Sequence, residues 1–543
     1  MITTGERIAC DTRATRGRQN IPVGYASMTL CSADQVPMRT LTILALLSLA
    51  VSLQAAESDR PNVIVILADD MGIDSVSAMN ARMGLSTPAI DQLMNESMSF
   101  TDAHSTSAVC TPTRYSVLTG RYNWRSRLKR GIVGKWERPL IDPSRLTLPE
   151  MFREYGYDTA CIGKWHLGWH WPAEGGGTTE KLAEIDFTGA VTGGPNDHGF
   201  DYYFGDDVPN WPPYVWHENE RLLGKITTQM KAGVMVGVSA GPAVNDWDFR
   251  AVLAEYSKRC SHYLRERAEQ KRPFFLYVPL PSPHTPIAPH EDFRGTSKIS
   301  EYADFLIQTD TTIGTLMSEL KDSEQADNTV VIFTCDNGTS PKADFPRLDA
   351  AGVRLNEHWR GWKADAYEGG HRVPFAVRWP GRIEPGSQCE QTITLADIMA
   401  TCADVLGHDL PAEAAEDSVS LLPTLQGQQT SEPLHDVVVH HSVSGHFAVR
   451  SGKWKLLFCR GSGGWSPPRE AEAEKQNLPP VQLYNLHDDP KETVNLQADH
   501  PEVVKQLTAE LRRVIEQGRS TPGPGQPNHA SARWWQGLPW PQP

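Results

Sequence analysis

The sequence predicts an α/β fold, in which a mostly parallel sheet flanked by helices is followed by a smaller C-terminal antiparallel sheet with a helix. Three observations lead to this prediction. Continuous apolar runs end in polar clusters, helical patterns lie between these runs, and from about His435 the pattern changes to shorter strand-like pieces. Such apolar runs are typical of strands buried on both faces, and their alternation with helices indicates a parallel sheet.

Polar side chains follow each predicted central strand. The apolar runs are PNVIVIL, PFFLYVPL and NTVVIFT. The polar residues after them are Asp69 and Asp70, then His284, and finally Asp336 and Asn337. Ligands of parallel sheets bind beyond the carboxyl ends of the strands. We therefore expect these five side chains to meet at one edge of the sheet.

Helical and antiparallel patterns fill the rest of the chain. TPAIDQLMNESMSF offers Thr87 as a cap and Pro88 in a first turn, and EYADFLIQTDTTIGTLMSELK has apolar residues at helical spacing. Near the C-terminus, DVVVHHSVSGHFAVRSGKWKLLF and VQLYNL predict strands, and PEVVKQLTAELRRVIEQG predicts a closing helix. The predicted organisation is an upstream extension (1–37), a signal peptide (38–56), a main α/β domain (60–430), a C-terminal α+β subdomain (435–520) and a tail rich in Pro, Gly and Trp (521–543).

The N-terminal region has the layout of a secretory signal peptide. Arg39 precedes the apolar run LTILALLSLAVSL, and the small residues Ala55 and Ala56 follow it. This run is short for a membrane span, although a buried helix would also explain it. We expect translation to start at Met38 and the protein to be exported, to the periplasm or outside the cell, without stable membrane insertion.

The charge of the chain excludes some partners. Its 543 residues carry a formal net charge of −14, so the chain as a whole should not attract nucleic acid or anionic membranes. One segment is locally basic, and it is either an anion site or a solvated face. Its members are Arg114, Arg121, Arg125, Arg127, Lys129, Arg130 and Lys135.

Cys110 opens this basic segment and has no second cysteine nearby. The chain has nine cysteines without a CxxC motif, and an odd number is left once the signal region is removed. At least one thiol is therefore unpaired or chemically changed. From the residues alone, Cys110 could form a disulfide, bind a metal, stay a plain buried thiol or be a modified nucleophile.

The acidic motifs also allow simpler interpretations. Asp69 and Asp70 could cap a helix, and the dipeptide Asn337-Gly338 suits a tight turn. Taken together with Asp336, they offer hard oxygen ligands, which favour Ca²⁺ or Mg²⁺ over zinc.

Of two further motifs, only the second contributes candidate site residues. GVSAG matches the nucleophile elbow of serine hydrolases, but a proline follows it directly, and we treat it as a chance match. GKWHLG places Lys164 and His166 on one face of a predicted strand.

With these motifs assembled, the chain resembles the type I sulfatases of the alkaline-phosphatase superfamily, in particular arylsulfatase A-like members. CTPTRYSVLTGR fits the C-x-P-x-R signature of that family, and LADDMG, GKWHLG, PHTP, DNG and WKADAYEGGHRVP stand in the expected order around it. The similarity covers Pro61 to about Leu425, and LYNLHDDPKETVNL resembles the smaller C-terminal domain of the family. The resemblance implies an alkaline-phosphatase-like fold.

The resemblance also implies an answer for Cys110. In that family a formylglycine-generating maturation enzyme oxidises the cysteine to an aldehyde, formylglycine, whose hydrate is the nucleophile. One Ca²⁺ per chain would be held by an oxygen of modified residue 110 together with Asp69, Asp70, Asp336 and Asn337.

Roles for the cations and histidines follow from the same resemblance. Arg114 would hold the aldehyde hydrate, and Lys164 and Lys363 would contact the sulfate. His284, aided by Lys363, would protonate the leaving alcohol, and His166 would then help to expel sulfate from residue 110. Such fixed cations and a metal lower the barrier by electrostatic preorganisation.

The expected substrate is a sulfate ester of an aryl group or, physiologically, of a carbohydrate. Residues 170–248 match no assigned role and are expected to line the substrate pocket, and four tryptophans are candidates for substrate contact. Two alternatives stay open: a phosphodiesterase or phosphonate monoester hydrolase of the same superfamily, and a non-catalytic binder of sulfated glycans. The four tryptophans are Trp211, Trp216, Trp534 and Trp535.

Overall fold

A ten-stranded, mostly parallel sheet forms the centre of the protein in the computed structural model, which describes residues 60–428 and 432–529. The strands of the described residues are β1 (Asn62–Ala68), β2 (Met98–Phe100), β3 (Ala103–His104), β4 (Asp158–Lys164), β5 (Trp171–Pro172), β6 (Thr178–Thr179), β7 (Tyr202–Asp206), β8 (Trp216–Glu218), β9 (Arg221–Leu223), β10 (Thr228–Met230), β11 (Gly241–Ala243), β12 (Phe274–Pro279), β13 (Thr329–Cys335), β14 (Phe375–Arg378), β15 (Gln388–Cys389), β16 (Ile393–Thr394), β17 (Val438–His441), β18 (Phe447–Ser451), β19 (Trp454–Leu457) and β20 (Gln482–Asn485).

Helices connect and flank these strands. In chain order they are α1 (Pro88–Asn95), α2 (Cys110–Thr119), α3 (Leu148–Glu154), α4 (Val252–Gln270), α5 (Glu301–Asp322), α6 (Phe345–Ala350), α7 (Glu368–His371), α8 (Asp397–Leu406), α9 (Leu422–Leu425), α10 (Glu470–Lys475) and α11 (Pro501–Gln517).

The large sheet has the strand order β15-β2-β14-β13-β1-β12-β4-β7-β8-β9. The five neighbours from β13 to β7 run parallel to one another, whereas β14 and β8 are antiparallel to the strands beside them. Every residue of β1, β12 and β13 is buried, which explains why these strands are continuous apolar runs. The predicted fold class is therefore confirmed.

The two predicted helices form, with one difference at a cap. α5 begins after Ser300, whose hydroxyl accepts a hydrogen bond from the Ala303 amide at 3.2 Å. α1 begins at Pro88 as predicted, but Thr87 does not cap it, because its hydroxyl oxygen accepts from the Ser77 amide at 2.9 Å. The same hydroxyl donates to Asp91 Oδ1 at 3.0 Å. The last residues of that motif leave the helix and form β2.

The C-terminal region forms the predicted antiparallel sheet and helix. β17, β18, β19 and β20 pair antiparallel in sequence order. α11 buries Leu507 and Leu511 in one apolar cluster with Val449 and Leu456 of this sheet.

Several predictions fall on residues that are not described. The upstream extension, the signal peptide, Trp534 and Trp535 all lie outside the described ranges. Within those ranges, no helix has the length and apolar character needed to cross a membrane. The described part of the tail contacts the rest of the protein, since the amide of His529 donates to the Arg125 carbonyl at 2.8 Å.

Candidate active site

Four neighbouring strands bring the predicted polar residues to one edge of the sheet. Asp69 follows β1 and Asp336 follows β13, and they are adjacent because Ala68 pairs with Cys335 in the parallel register. Lys164 is the last residue of β4, and His284 lies in the loop after β12. The structure therefore places these side chains together at the carboxyl ends of the strands.

Cys110 is the first residue of α2, and every residue of this helix is buried. Its sulfur and one carboxylate oxygen each from Asp69 and Asp336 lie within 4.8 Å of one another. It forms no disulfide with any described cysteine. Burial raises the pKa of the Cys110 thiol, although Lys164 and Lys363 oppose the rise. The unmodified side chain thus lacks the lowered pKa of a reactive thiolate.

Arg114 clamps the two carboxylates that follow β1 and β13. Its Nε and Nη2 donate to Asp336 Oδ2 at 3.1 and 2.8 Å, and Nη2 lies 3.3 Å from Asp69 Oδ2. Nη1 donates to the Lys164 carbonyl at 3.0 Å. The guanidinium is fully buried and therefore holds the ends of three strands in a fixed arrangement.

Two buried lysines complete the set of cations. Lys164 Nζ lies 2.5 Å from Asp69 Oδ2, and Lys363 Nζ lies 2.5 Å from Asp70 Oδ1. Burial lowers the pKa of Lys164, but Asp69 together with Cys110 and Asp336 outweighs burial, so this pKa lies above its ordinary value. Lys164 therefore carries its charge, and both ammonium groups lie next to the position of residue 110.

The pKa values of Asp69 and Asp336 are shifted in opposite directions. Burial raises the pKa of Asp69, but Lys164, His284 and Arg114 more than offset it, so the pKa lies well below the ordinary value. Burial raises the pKa of Asp336, and the Asp69 charge adds to the rise despite Arg114.

The oxygens of this cluster fit a hard divalent cation. Asp69 Oδ1 and Asn337 Oδ1 are buried without a hydrogen-bond partner among the described residues. Asn337 Nδ2 donates to Asp70 Oδ1 at 2.8 Å, which orients the amide. Carboxylate and amide oxygens are the ligands that Ca²⁺ prefers. Buried, unpartnered oxygens of this kind are what a bound cation would satisfy.

His166 occupies a different backbone position from the one predicted. β4 ends at Lys164, and His166 has φ +57°, so it lies beyond the strand and not on one strand face with Lys164. Asp207 holds this turn by accepting from the His166 amide at 3.2 Å. Burial lowers the pKa of His166 well below its ordinary value, and Lys164 and Arg114 add to this effect. The ring is neutral, and neither of its buried nitrogens has a hydrogen-bond partner among the described residues.

His284 is also neutral in this arrangement. Its Nδ1 lies 2.6 Å from the Thr285 carbonyl, which accepts only, so Nδ1 carries the proton and Nε2 does not. Nε2 lies 3.9 Å from Asp70 Oδ2. Burial lowers the pKa of His284 to about 4, and Lys363 adds to this effect. Nε2 must therefore gain a proton before it can donate one.

The segment without an assigned role contributes to the surroundings of these histidines. Trp211 packs edge-on against the His166 ring, with the ring centroids 5.2 Å apart. The loop of Gly237 lies beside Thr285, the residue that follows His284. A Cβ added to Gly237 would be only 3.1 Å from Thr285 Oγ1 and 3.3 Å from Asn210 Nδ2. Trp216, in contrast, stacks on Phe204 and packs against Trp247 in the partly buried edge of the core.

The basic segment after Cys110 does not form one anion site. Arg114 faces Asp336 and Asp69, whereas three later arginines pair with carboxylates elsewhere. These pairs are Arg121 with Glu416, Arg125 with Asp417 and Arg127 with Glu137. Within the described residues, the GVSAG motif is a loop that runs into the first residue of β11 and has no strand-turn-helix elbow, in agreement with a chance match.

A second buried polar cluster has no counterpart in the sequence predictions. His371 Nδ1 lies 3.0 Å from His104 Nδ1, and the His371 ring stacks on that of His440 with centroids 4.0 Å apart. Lys455 Nζ lies 2.9 Å from Glu368 Oε1 and 3.0 Å from His371 Nε2. The His371 carbonyl accepts from the Ser105 amide, so this cluster supports the chain that leads to Cys110.

Comparisons with known proteins agree with this fold and identify a family. Residues 61–408 match the family model "Sulfatase", and residues 357–518 match "N-sulphoglucosamine sulphohydrolase, C-terminal". An N-acetylgalactosamine-6-O-sulfatase of Bacteroides thetaiotaomicron is 33% identical over 84% of this chain and 93% of that protein. A solved structure of a "6S-sulf" protein, from work on the metabolism of multiple glycosaminoglycans by the same species, is 32% identical, with a TM-score of 0.73 and coverage of 84% of this chain and 99% of that one. The phosphonate monoester hydrolase of Agrobacterium radiobacter shares the fold at 20% identity, with a TM-score of 0.55 and coverage of 84% and 96%.

The mostly parallel sheet, together with these structural neighbours, defines an enzyme fold of the alkaline-phosphatase superfamily. Within that superfamily, the chain belongs to the sulfatase family, because the family model spans most of the chain and a relative one third identical covers 84% of it. It is therefore a sulfuric ester hydrolase.

Proposed function

We propose that this sulfatase hydrolyses carbohydrate sulfates by means of a formylglycine at position 110 and one bound Ca²⁺. The observation that carries the proposal is the buried position of Cys110 at the start of α2, next to Asp69 and Asp336. A buried thiol with a raised pKa is a poor nucleophile, whereas the same position suits an oxidised residue surrounded by fixed cations. The names of the relatives support a sugar sulfate as the substrate class.

When present, the aldehyde hydrate supplies a nucleophilic oxygen and the cation supplies positive charge to the sulfate oxygens. The cation would be held by Asp69, Asp70, Asp336 and Asn337, with an oxygen of residue 110. Arg114 holds Asp336 and Asp69 in place without a solvent shell, so little reorganisation is needed when the substrate binds.

The two lysines bind the sulfate group in this proposal. Lys164 Nζ lies 2.5 Å from an oxygen of Asp69, and Lys363 Nζ lies 2.5 Å from an oxygen of Asp70. A sulfate oxygen that enters next to residue 110 can accept from the remaining protons of both ammonium groups. Negative charge that develops in the transition state is then met by donors that are already in position.

Proton transfers fall to the two neutral histidines. The negative charge of a bound ester raises the pKa of His284, so Nε2 can take up a proton as the ester binds and donate it to the leaving alcohol, and the positive charge of Lys363 favours the release of that proton. His166, with an unprotonated ring nitrogen free of internal hydrogen bonds, can accept the proton whose loss releases sulfate from residue 110.

Other elements of the proposal concern maturation and location. A formylglycine-generating enzyme is the partner that would oxidise Cys110, and the predicted signal peptide would direct the chain to the periplasm or out of the cell. Activity on phosphodiesters or phosphonate monoesters is the second candidate, favoured by the fold shared with the phosphonate monoester hydrolase. Parallel assays with an aryl sulfate and an aryl phosphodiester separate these two activities.

The proposal is tested by mass spectrometry of the peptide that contains residue 110, from protein exported by its native host, together with sulfate release from sulfated sugars. We expect the mass of an aldehyde in place of the thiol, and turnover that follows the aldehyde fraction. Material that contains only the unmodified thiol would leave a non-catalytic binder of sulfated glycans as the remaining interpretation.

Calcium binding should be measurable without turnover. At 100 times its Kd, a ligand adds about 2.7 kcal/mol to the free energy of unfolding, so Ca²⁺ should raise the melting temperature above that of the EDTA-treated protein. Asn337→Ala removes a proposed ligand and should lose most of this rise. Asn328→Ala, at the opposite end of β13, should keep it. An equal rise in both variants would refute the assignment of Asn337.

A further inference from the structure

A cation that has no carboxylate partner among the described residues lies beside the site and takes no part in the chemistry described above. Lys135 Nζ is 5.9 Å from the centroid of the Trp211 ring. Within the described ranges it forms no ion pair with any carboxylate. The same ring packs against His166, which is buried, whereas Trp211 and Lys135 are both partly exposed. The three side chains therefore lead from the buried site towards solvent.

The position of Lys135 is linked to that of Cys110. The Val133 amide donates to Thr111 Oγ1 at 3.3 Å, and Thr111 Oγ1 donates to the His166 carbonyl at 3.0 Å. The chain leading to Lys135 is thus attached to the residue after Cys110 and to the turn of His166.

Lys135 also differs from most of the other basic residues of its segment. Arg121, Arg125 and Arg127 have carboxylate partners, and Lys129 Nζ donates to the Trp124 carbonyl at 2.9 Å. In the described part of the chain, the contact recorded for the Lys135 ammonium is with the Trp211 indole, whose face leaves the ammonium protons free for an anion. A cation held in place without an acidic partner is suited to a ligand.

We propose that Lys135 and Trp211 form a subsite for a second anionic group of the substrate. This group lies on the sugar that carries the scissile sulfate or on the adjacent sugar. This inference rests on the proposed hydrolysis of carbohydrate sulfates. A sugar whose sulfate lies at residue 110 extends past His166, contacts the apolar indole and brings a carboxylate or a second sulfate to Lys135. The preferred substrate is then a polyanionic glycan.

Steady-state kinetics on three substrates with the same scissile ester test this subsite. They are a monosulfated N-acetylhexosamine, the same sugar with a second sulfate, and its disaccharide with a uronic acid. Lys135→Ala should raise KM roughly fivefold for one or both dianionic substrates, with kcat unchanged and the monosulfated sugar unaffected. Lys135→Arg should restore most of the affinity. Lys321→Ala, an exposed lysine in the last turn of α5, is the matched control and should change nothing.

Each outcome has a definite meaning. A KM effect on the disulfated sugar, on the uronate disaccharide or on both supports the subsite and identifies the anion. Unchanged KM values, or an equal rise for all three substrates, would overturn the subsite while the proposed function stands. If the aldehyde-containing wild-type enzyme turns over none of the three substrates, the proposed function fails and the subsite fails with it.

Discussion

Replacing Cys110 by alanine should abolish sulfate ester hydrolysis, with kcat lowered at least about ten-thousandfold. The side chain lies against Asp69 and Asp336, and no other described cysteine lies in that cluster of ligand atoms. Alanine cannot be oxidised to an aldehyde, so the substitution removes the nucleophile and leaves the binding groups in place. The measurement is sulfate release from a sulfated sugar at saturating concentration.

Cys402→Ala provides the matched control for this prediction. Cys402 lies in α8 and is as buried as Cys110, each being 2% exposed, and burial raises the pKa of both thiols. The alanine variant at 402 should lose stability through the cavity it creates, but it should keep kcat. Near wild-type turnover in Cys110→Ala would contradict the proposed mechanism, because no other side chain of the site offers an equivalent nucleophile.

The site could be predicted where burial fixes both the sequence pattern and the geometry. β1, β12 and β13 are buried on both faces, so their apolar runs are visible in the sequence, and the parallel arrangement brings Asp69, Asp336 and His284 to one edge. Neither inference requires knowledge of distant contacts. This explains why the fold class and the meeting of the polar residues followed from the sequence.

Features that depend on long-range pairing could not be predicted in this way. The partners of Arg121 and Arg125 are Glu416 and Asp417, nearly three hundred residues away, so the sequence of the segment shows only a local concentration of charge. The His104, His371 and His440 cluster likewise joins remote segments that carry no shared motif. The left-handed backbone of His166 is set by the turn held by Asp207, which periodicity does not reveal.

Arg114 is the residue whose loss should damage both stability and catalysis. Its guanidinium is buried against Asp336 and Asp69, and removal of one partner of a buried ion pair typically costs about 3–5 kcal/mol. Arg114→Ala should therefore lower the melting temperature markedly, and it should also lower kcat for sulfate ester hydrolysis. Since that variant could lose its fold, the informative substitution is Arg114→Lys, which keeps the charge but not the paired donors.

Arg125 provides a control that separates the effect of Arg114 on catalysis from its effect on stability. Like Arg114 it is a fully buried arginine in an ion pair, and its Nε and Nη2 donate to Asp417 at 2.7 and 2.8 Å. Arg125→Lys and Arg114→Lys should thus lose similar amounts of stability in thermal unfolding. Only Arg114→Lys should lower kcat, by roughly a hundredfold or more, because its donors organise the carboxylates around residue 110. Equal kcat values in the two folded variants would show that Arg114 serves the fold alone, and the preorganisation assigned to it would then have to come from Lys164 and Lys363.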